Sequence, residues 1–148
     1  MATIRRFEDL EIWKLSRELC NTVFNLVKEE GFSRDFKLIN QINGASGSVM
    51  DNVAEGFDRG GRKEFINFLG IAKGSSAEVK SQLYRAFDRK YISEEDFQFA
   101  YNLADEINRK IHGLISYLNS TETKGQKFKD RVEEPESTYG TFDFSLED

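Results

Sequence analysis

Four stretches of helical apolar periodicity, joined by short Gly- and Ser-marked breaks, run from Phe7 to Asn119. A chain in which apolar residues recur at 3/4 spacing over this length has few options besides packing helix on helix. The single proline among the 148 residues, Pro135, stands beyond the last stretch, so nothing of that kind interrupts the periodicity. The pattern predicts an all-α bundle of four helices over residues 1–119. An acidic tail over residues 120–148 follows it.

The first stretch reads as a helix from Phe7 to about Glu30. Ile12, Leu15, Leu19, Val23 and Leu26 form one stripe, and Trp13, Cys20, Phe24 and Val27 form a second beside it. Together the stripes cover roughly half of the helix circumference, more than a single bundle seam needs. The excess predicts neighbours outside the chain. Gly31 fits the left-handed position that ends a helix.

The second helix is expected from about Asp35 to Phe57, with Ser33 or Arg34 near its start. Phe36, Ile39, Ile42, Val49, Val53 and Phe57 supply its apolar side. Its middle, Gly44-Ala45-Ser46-Gly47-Ser48, holds two interior glycines, each costing about 1 kcal/mol relative to Ala. Close approach of another helix would offset that cost; so would a backbone surface offered to a ligand or nucleic acid.

After Gly56-Phe57-Asp58-Arg59-Gly60-Gly61, a third helix is expected from about Arg62 to Asp88, where Gly70 and Gly74 again predict close packing. The short Tyr91-Ile92 link makes helices three and four antiparallel neighbours. Ser93 is an N-cap candidate ahead of Glu94, Glu95 and Asp96. Phe97, Ala100, Ala104, Ile107, Ile111, Leu114 and Leu118 then repeat at 3-4 spacing, a heptad seam.

Candidate chemistry is sparse. A di-metal carboxylate bundle needs two Glu-x-x-His motifs, whereas His112 is the only histidine and Arg109 precedes it by three. No metal, cofactor or catalytic set is expected, and the chain reads as non-enzymatic. Cys20 has no basic neighbour on its helical face to lower its pKa and reads as a small core residue. The lone cysteine suits a reducing cytosol. No apolar run approaches the roughly 18 residues needed to cross a bilayer, and the start is not a signal peptide. Gly56–Arg62 invites a phosphate-loop reading, but it lacks the Gly-Lys-Ser/Thr ending and joins two helices. It reads as a turn with glycines at positive φ, to which Asn52 and Glu55 would bond, with Glu55 four residues before Arg59.

Net charge is −5, yet residues 120–148 hold 8 acidic and 4 basic side chains, so the body is nearly neutral. On helix three, Arg62, Lys73 and Lys80 fall within about 20° on the helical wheel, with Arg59 and Lys63 near the start of the strip. Those five would contact phosphate if the protein binds RNA or DNA. Otherwise they are a solvated face balanced by Glu64, Glu78 and Asp88. The tail's charged and polar composition reads as a flexible, solvated segment; alternatively, Phe142, Phe144 and Leu146 alternate as an extended docking segment would, and its acidic residues would compete for the basic strip.

From helix two into helix three the residues follow a recognisable order. Phe36-Lys37-Leu38, Gln41-Ile42, Ala45, Ser48-Val49, Asn52-Val53-Ala54-Glu55-Gly56, Arg59, Glu64-Phe65, Phe68-Leu69, Ile71-Ala72 and Gly74-Ser75-Ser76-Ala77-Glu78 succeed one another. With Phe7-Glu8-Asp9-Leu10 and Trp13 in front, this resembles the four-helix-bundle family of 23S rRNA intervening-sequence proteins over about residues 7–118. That family includes the accessory variability determinant proteins of diversity-generating retroelements. The resemblance implies an antiparallel up-down four-helix bundle that assembles as a ring-like homopentamer and, in the retroelement branch, a basic surface for nucleic acid and a reverse transcriptase partner. Trp13, Cys20, Phe24, Val27, Gly44 and Gly47 would then meet neighbouring copies. Asn52, Glu55, Gly56, Gly74, Ser75 and Glu78 carry the most specific part of the motif. Two departures stand out: Asn43-Gly44 replace the arginines common after the Gln-Ile pair, and the pI is about 5.1 where retroelement members are strongly basic. A scaffold for protein partners alone is the alternative.

Overall fold

Apolar side chains spaced 3 and 4 apart gather on one face when the chain coils at 3.6 residues per turn. In the computed structural model, which describes residues 3–121 and 132–133, four segments do this. They are α1 (Glu11–Leu26), α2 (Phe36–Asp58), α3 (Arg62–Asp88) and α4 (Glu94–Ser120). A two-residue antiparallel pairing of β1 (Thr3–Ile4) with β2 (Val132–Glu133) joins the two ends of the described chain. The tail residues Phe142, Phe144 and Leu146 lie outside the described residues.

Helix α1 is shorter than its periodicity. Phe7–Asp9 forms one tight turn, and Leu10 is extended and fully buried, turning the chain into the core before α1 begins. At the other end, Lys28 N–H and Glu29 N–H bond the carbonyls of Asn25 and Leu26, three residues back, which tightens and ends the helix. Gly31, at φ 90°, therefore does not close α1; it opens a second tight turn, Phe32–Arg34, that buries Phe32 against Tyr91.

The cap of α2 is Asp35, not Ser33 or Arg34, because its carboxylate accepts the Leu38 N–H at 3.1 Å. The same carboxylate accepts from Arg89 Nη1 at 2.9 Å and Tyr91 Oη at 2.9 Å, tying the start of α2 to the end of α3. In the α2–α3 turn, Gly60 alone takes a positive φ, 84°, while Gly61 is extended at −103°. Helix α3 ends on Lys90 at φ 61°. There Tyr91 N–H reaches back to Ala86 and Lys90 N–H to Phe87, the left-handed closure usually given to glycine. Ser93 caps α4, its hydroxyl accepting the Asp96 N–H at 3.1 Å.

The core runs the length of the four helices. Ile12, Leu19 and Val23 of α1, Ile42, Val49, Val53 and Phe57 of α2, and Phe65, Leu69, Val79 and Leu83 of α3 are fully buried. So are Ala104, Ile107, Ile111, Leu114 and Leu118 of the α4 seam. Each helix packs on the next, and α1 also meets α4. Contacts between α2 and α3 pair Asp35 with Arg89, Gln41 with Arg85 and Ser48 with Ser75, so one number climbs as the other falls. Between α3 and α4, Arg62 meets Leu118 and Lys80 meets Asp105 in the same opposed order.

The glycines divide sharply. A Cβ on Gly56 would lie 2.5 Å from Phe68 Cβ, so α2 and α3 approach closely there. At Gly44, Gly47, Gly70 and Gly74 an added Cβ would meet nothing within 4 Å. Close packing among the described residues, expected at Gly70 and Gly74 and one of two readings at Gly44 and Gly47, occurs at none of them. Among the described residues no helix is long and apolar enough to cross a membrane.

Candidate functional site

The five cations proposed for phosphate contact start from different positions. Arg62, Lys73 and Lys80 do share the α3 face that borders α4, as their spacing requires. Lys80 Nζ, however, sits 2.8 Å from Asp105 Oδ1 and 5.1 Å from the centre of the Tyr101 ring. Burial draws the Lys80 pKa down, but the Asp105 carboxylate outweighs it and leaves the amine above its ordinary value. Burial likewise raises Asp105, and its bonds from Lys80 and Arg109 reverse that, holding the carboxyl below the usual range. Arg62 Nη1 donates to the Leu118 carbonyl at 3.1 Å, and its buried Nε has no hydrogen-bond partner among the described residues. Arg59 lies between Glu55 at 3.8 Å and Glu64 at 3.9 Å, above the Phe68 ring. Lys63 and Lys73 form no ion pair among the described residues, and Lys63 is exposed. Two of the five are thus neutralised and a third bonds a helix end.

The expected oligomer residues fall on two separate surfaces. On α1, Trp13 and Cys20 are half-buried and Phe24 is 56% exposed, its ring carrying Lys28 Nζ at 4.0 Å. Trp13 packs edge-on against Phe7 at 5.2 Å. The Cys20 thiol donates to the Ser46 carbonyl at 3.2 Å, so this strip borders α2, and burial pushes its pKa up. Cys20 is half in the core, not wholly within it. Val27 turns inward and joins the core, leaving the strip one residue shorter than expected. Gly44 is exposed on the opposite flank of α2, facing α3, apart from the α1 strip.

The motif residues lie along the α2–α3 seam. Asn52 Nδ2 donates to the Ser48 carbonyl at 2.8 Å and to Ser48 Oγ at 3.0 Å. It turns to its own helix and does not bond the α2–α3 turn. Ser48 Oγ and Ser75 Oγ are 2.8 Å apart across the seam. Gly56 sits beneath Phe68, and Glu55 pairs with Arg59 as its spacing predicts. Gly74 is exposed with open space above it. Glu78 lines a groove of about 510 Å³ together with Gln41, Gly44, Ser48, Ser75, Gln82 and Arg85. Asn52, Ser75 and Gly56 therefore fix how α2 and α3 meet.

A family model described as 23S rRNA-intervening sequence protein matches residues 8–113. The chain belongs to this family. Among solved structures it is similar to a protein of unknown function from the S23 ribosomal protein family of Bacteroides thetaiotaomicron, known at 1.70 Å. The two are 27% identical with a TM-score of 0.65, over 70% of this chain and 97% of that one. No protein with a curated description matches. The matched span takes in α1, α2, α3 and most of α4.

Several polar residues in the site were not foreseen. Asp105, Asp35, Gln41 and Arg85 act across helices, and no local pattern marks such partners. One signal was present: Ser75, Glu78, Gln82 and Arg85 repeat at 3-4-3, a polar stripe at core-like spacing. Among the described residues, no group of three or more His, Cys, Asp or Glu is placed to hold a metal ion.

Proposed function

We propose that this family member is a non-enzymatic, up-down four-helix bundle of the cytoplasm that works by assembly. Copies join through the outer strip of α1 into a ring-like homopentamer, and the assembled surface receives a macromolecular partner. Phe24 carries this reading: a large ring 56% exposed on a helix whose other apolar stripe already fills the core. Phe36, 73% exposed near the start of α2, adds a second unpartnered ring. Light scattering on the purified chain tests it. A mass near five chains is expected, falling to one chain in Phe24→Glu with the melting of the bundle otherwise intact. A wild-type protein that stays monomeric at high concentration would remove the reading.

The α3–α4 face favours a second reading, a nucleic-acid-associated accessory factor. Arg62, Lys73 and Lys80 lie together on it, with Arg109 beside Asp105 and Lys63 at its start. A ring would repeat that face and multiply weak phosphate contacts. The ion pairs on Arg59 and Lys80 weigh toward a protein partner, and a reverse transcriptase is the partner the family resemblance implies. Binding of single-stranded RNA or DNA that weakens with salt, and falls in Lys63→Glu/Lys73→Glu, would support this second reading. Absence of binding at low salt would dismiss it.

A further inference from the structure

Two polar stripes face each other across α2 and α3. Gln41, Gly44 and Ser48 run at 3-4 spacing on α2, and Ser75, Glu78, Gln82 and Arg85 at 3-4-3 on α3. Two bonds close the ends of this stretch. Ser48 meets Ser75 at 2.8 Å, and Arg85 Nη2 donates to Gln41 Oε1 at 3.0 Å. The opposed numbering sets Gly44 across from Gln82. Where a side chain would fill the space between them, a glycine leaves it open, and nothing lies within 4 Å of an added Cβ.

Gln82 is only 6% exposed, lines the groove, and its buried Oε1 has no hydrogen-bond partner among the described residues. A buried amide oxygen without a donor costs free energy, and a site that holds one is fitted to receive an N–H or O–H. Charge narrows the choice. Glu78 and Arg85 lie on one face seven residues apart, about 10 Å along the axis. Neither forms an ion pair among the described residues. The residues between them are neutral amides, hydroxyls and glycine. A ligand of one net charge would leave one of the two fixed charges opposed, whereas a molecule charged oppositely at its two ends satisfies both.

We propose that the α2–α3 groove binds a small zwitterion of the short-peptide class. Its ammonium rests on Glu78, its carboxylate on Arg85, and an N–H between them is met by Gln82 Oε1 as that amide turns from its buried position toward the groove. An extended dipeptide, at about 3.5 Å per residue plus a hydrogen bond at each end, spans about 13 Å, and the long Glu78 and Arg85 side chains take up the difference from the rise of about 10 Å between their backbones. Arg85 keeps donors free beyond the one given to Gln41. The groove volume of about 510 Å³ lies within the range of small-molecule sites. This site is distinct from the α1 strip and from the α3–α4 face, and stands without either proposed role.

The test titrates the full 15N-labelled chain with diglycine, N-acetyl-diglycine and diglycine amide, following backbone amide shifts. Diglycine is expected to give saturable shifts at Gly44, Ser48, Ser75 and Gln82, and blocking either end to weaken binding. Gln82→Leu removes the acceptor at similar size and should weaken binding about fivefold, the loss of one hydrogen bond. Gly44→Leu fills the open space and should abolish the shifts, while its melting temperature shows that the bundle is intact. Absence of saturable shifts overturns the proposal, as does equal binding by Gly44→Leu or by the blocked peptides. Shifts at these residues that depend on protein concentration alone also overturn it, and assign the groove to a second copy.

Discussion

Gly56→Ala and Gly44→Ala are the same chemical change in the same helix and should have opposite effects. At Gly56 the new Cβ would lie 2.5 Å from Phe68 Cβ and 3.2 Å from Phe65 Cδ1. Carbon atoms prefer about 3.5 to 4.0 Å, so α2 and α3 would part by about 1 Å or more at that level. Phe68 Cβ is fixed to backbone and cannot swing aside. Overpacking of this kind costs about 1–3 kcal/mol, and this rigid contact belongs in the upper half of that range. The helix preference of Ala over Gly returns about 1 kcal/mol. The net expectation is a loss of about 1–2 kcal/mol. At Gly44 the Cβ enters open space, and only the helix preference acts, a gain of about 0.5–1 kcal/mol.

Urea unfolding of both variants beside wild type, with matched slopes, measures the difference directly. The two should lie about 1.5–3 kcal/mol apart, or about 3–12 °C in melting temperature for a chain of this size. A Gly56→Ala protein as stable as wild type would refute the close approach of α2 and α3. It would also unsettle the Ser48–Ser75 register that depends on it. A Gly44→Ala protein that is less stable would mean that something outside the chain already lies over that face.

Three further outcomes follow from particular contacts. Lys90→Gly should stabilise by about 1 kcal/mol in thermal melts, since φ 61° strains any side chain and suits glycine. Ile107→Asp or Ile111→Asp places a charge at a fully buried seam position and should cost several kcal/mol, visible as loss of the cooperative far-UV transition. The Asp35 pKa is lowered by the Leu38 N–H, then by the Tyr91 hydroxyl and the Arg89 guanidinium. Its stabilisation is therefore present above the unfolded value, about 4, and is lost as pH falls through the lower folded value. Asp35→Asn should be less stable than wild type at pH 7, and the gap should narrow below about pH 4 in urea titrations at stepped pH.

The helices were legible because their signals are local. The 3/4 spacing of α4 and its Ser93 cap lie within one segment, and so does the Arg62–Asp88 span of α3. The ends of α1 were not legible, because Leu10 leaves the helix to reach a core made by other segments. Lys90 shows the same limit. The backbone closes α3 in the left-handed region without the glycine that would announce it, held by two hydrogen bonds and by the Tyr91–Asp35 contact beyond. The glycines misled for a related reason. A glycine in a helix reports that a side chain is absent, and only the partner surface distinguishes Gly56, pressed on Phe68, from Gly44, which faces open space.

The cations carry that point to function. A helical wheel correctly set Arg62, Lys73 and Lys80 on one face, but it counts charges from one helix only. Asp105 arrives from α4 and converts the Lys80 contact into part of the fold, while Glu64, already counted as a balancing charge, reaches Arg59 from the first turn of α3. What a wheel reports as a basic strip is therefore an upper bound on the charge offered to a partner. The polar stripe Ser75, Glu78, Gln82 and Arg85 is the opposite case. Its spacing is that of a core, its residues are those of a surface, and the facing helix supplies Gly44 where a packed seam would supply a knob. Two helices that pack tightly at Gly56 and open at Gly44 spend polar residues where apolar ones would add stability. A groove kept open at that cost is the strongest sign in this bundle of a surface shaped for something other than folding.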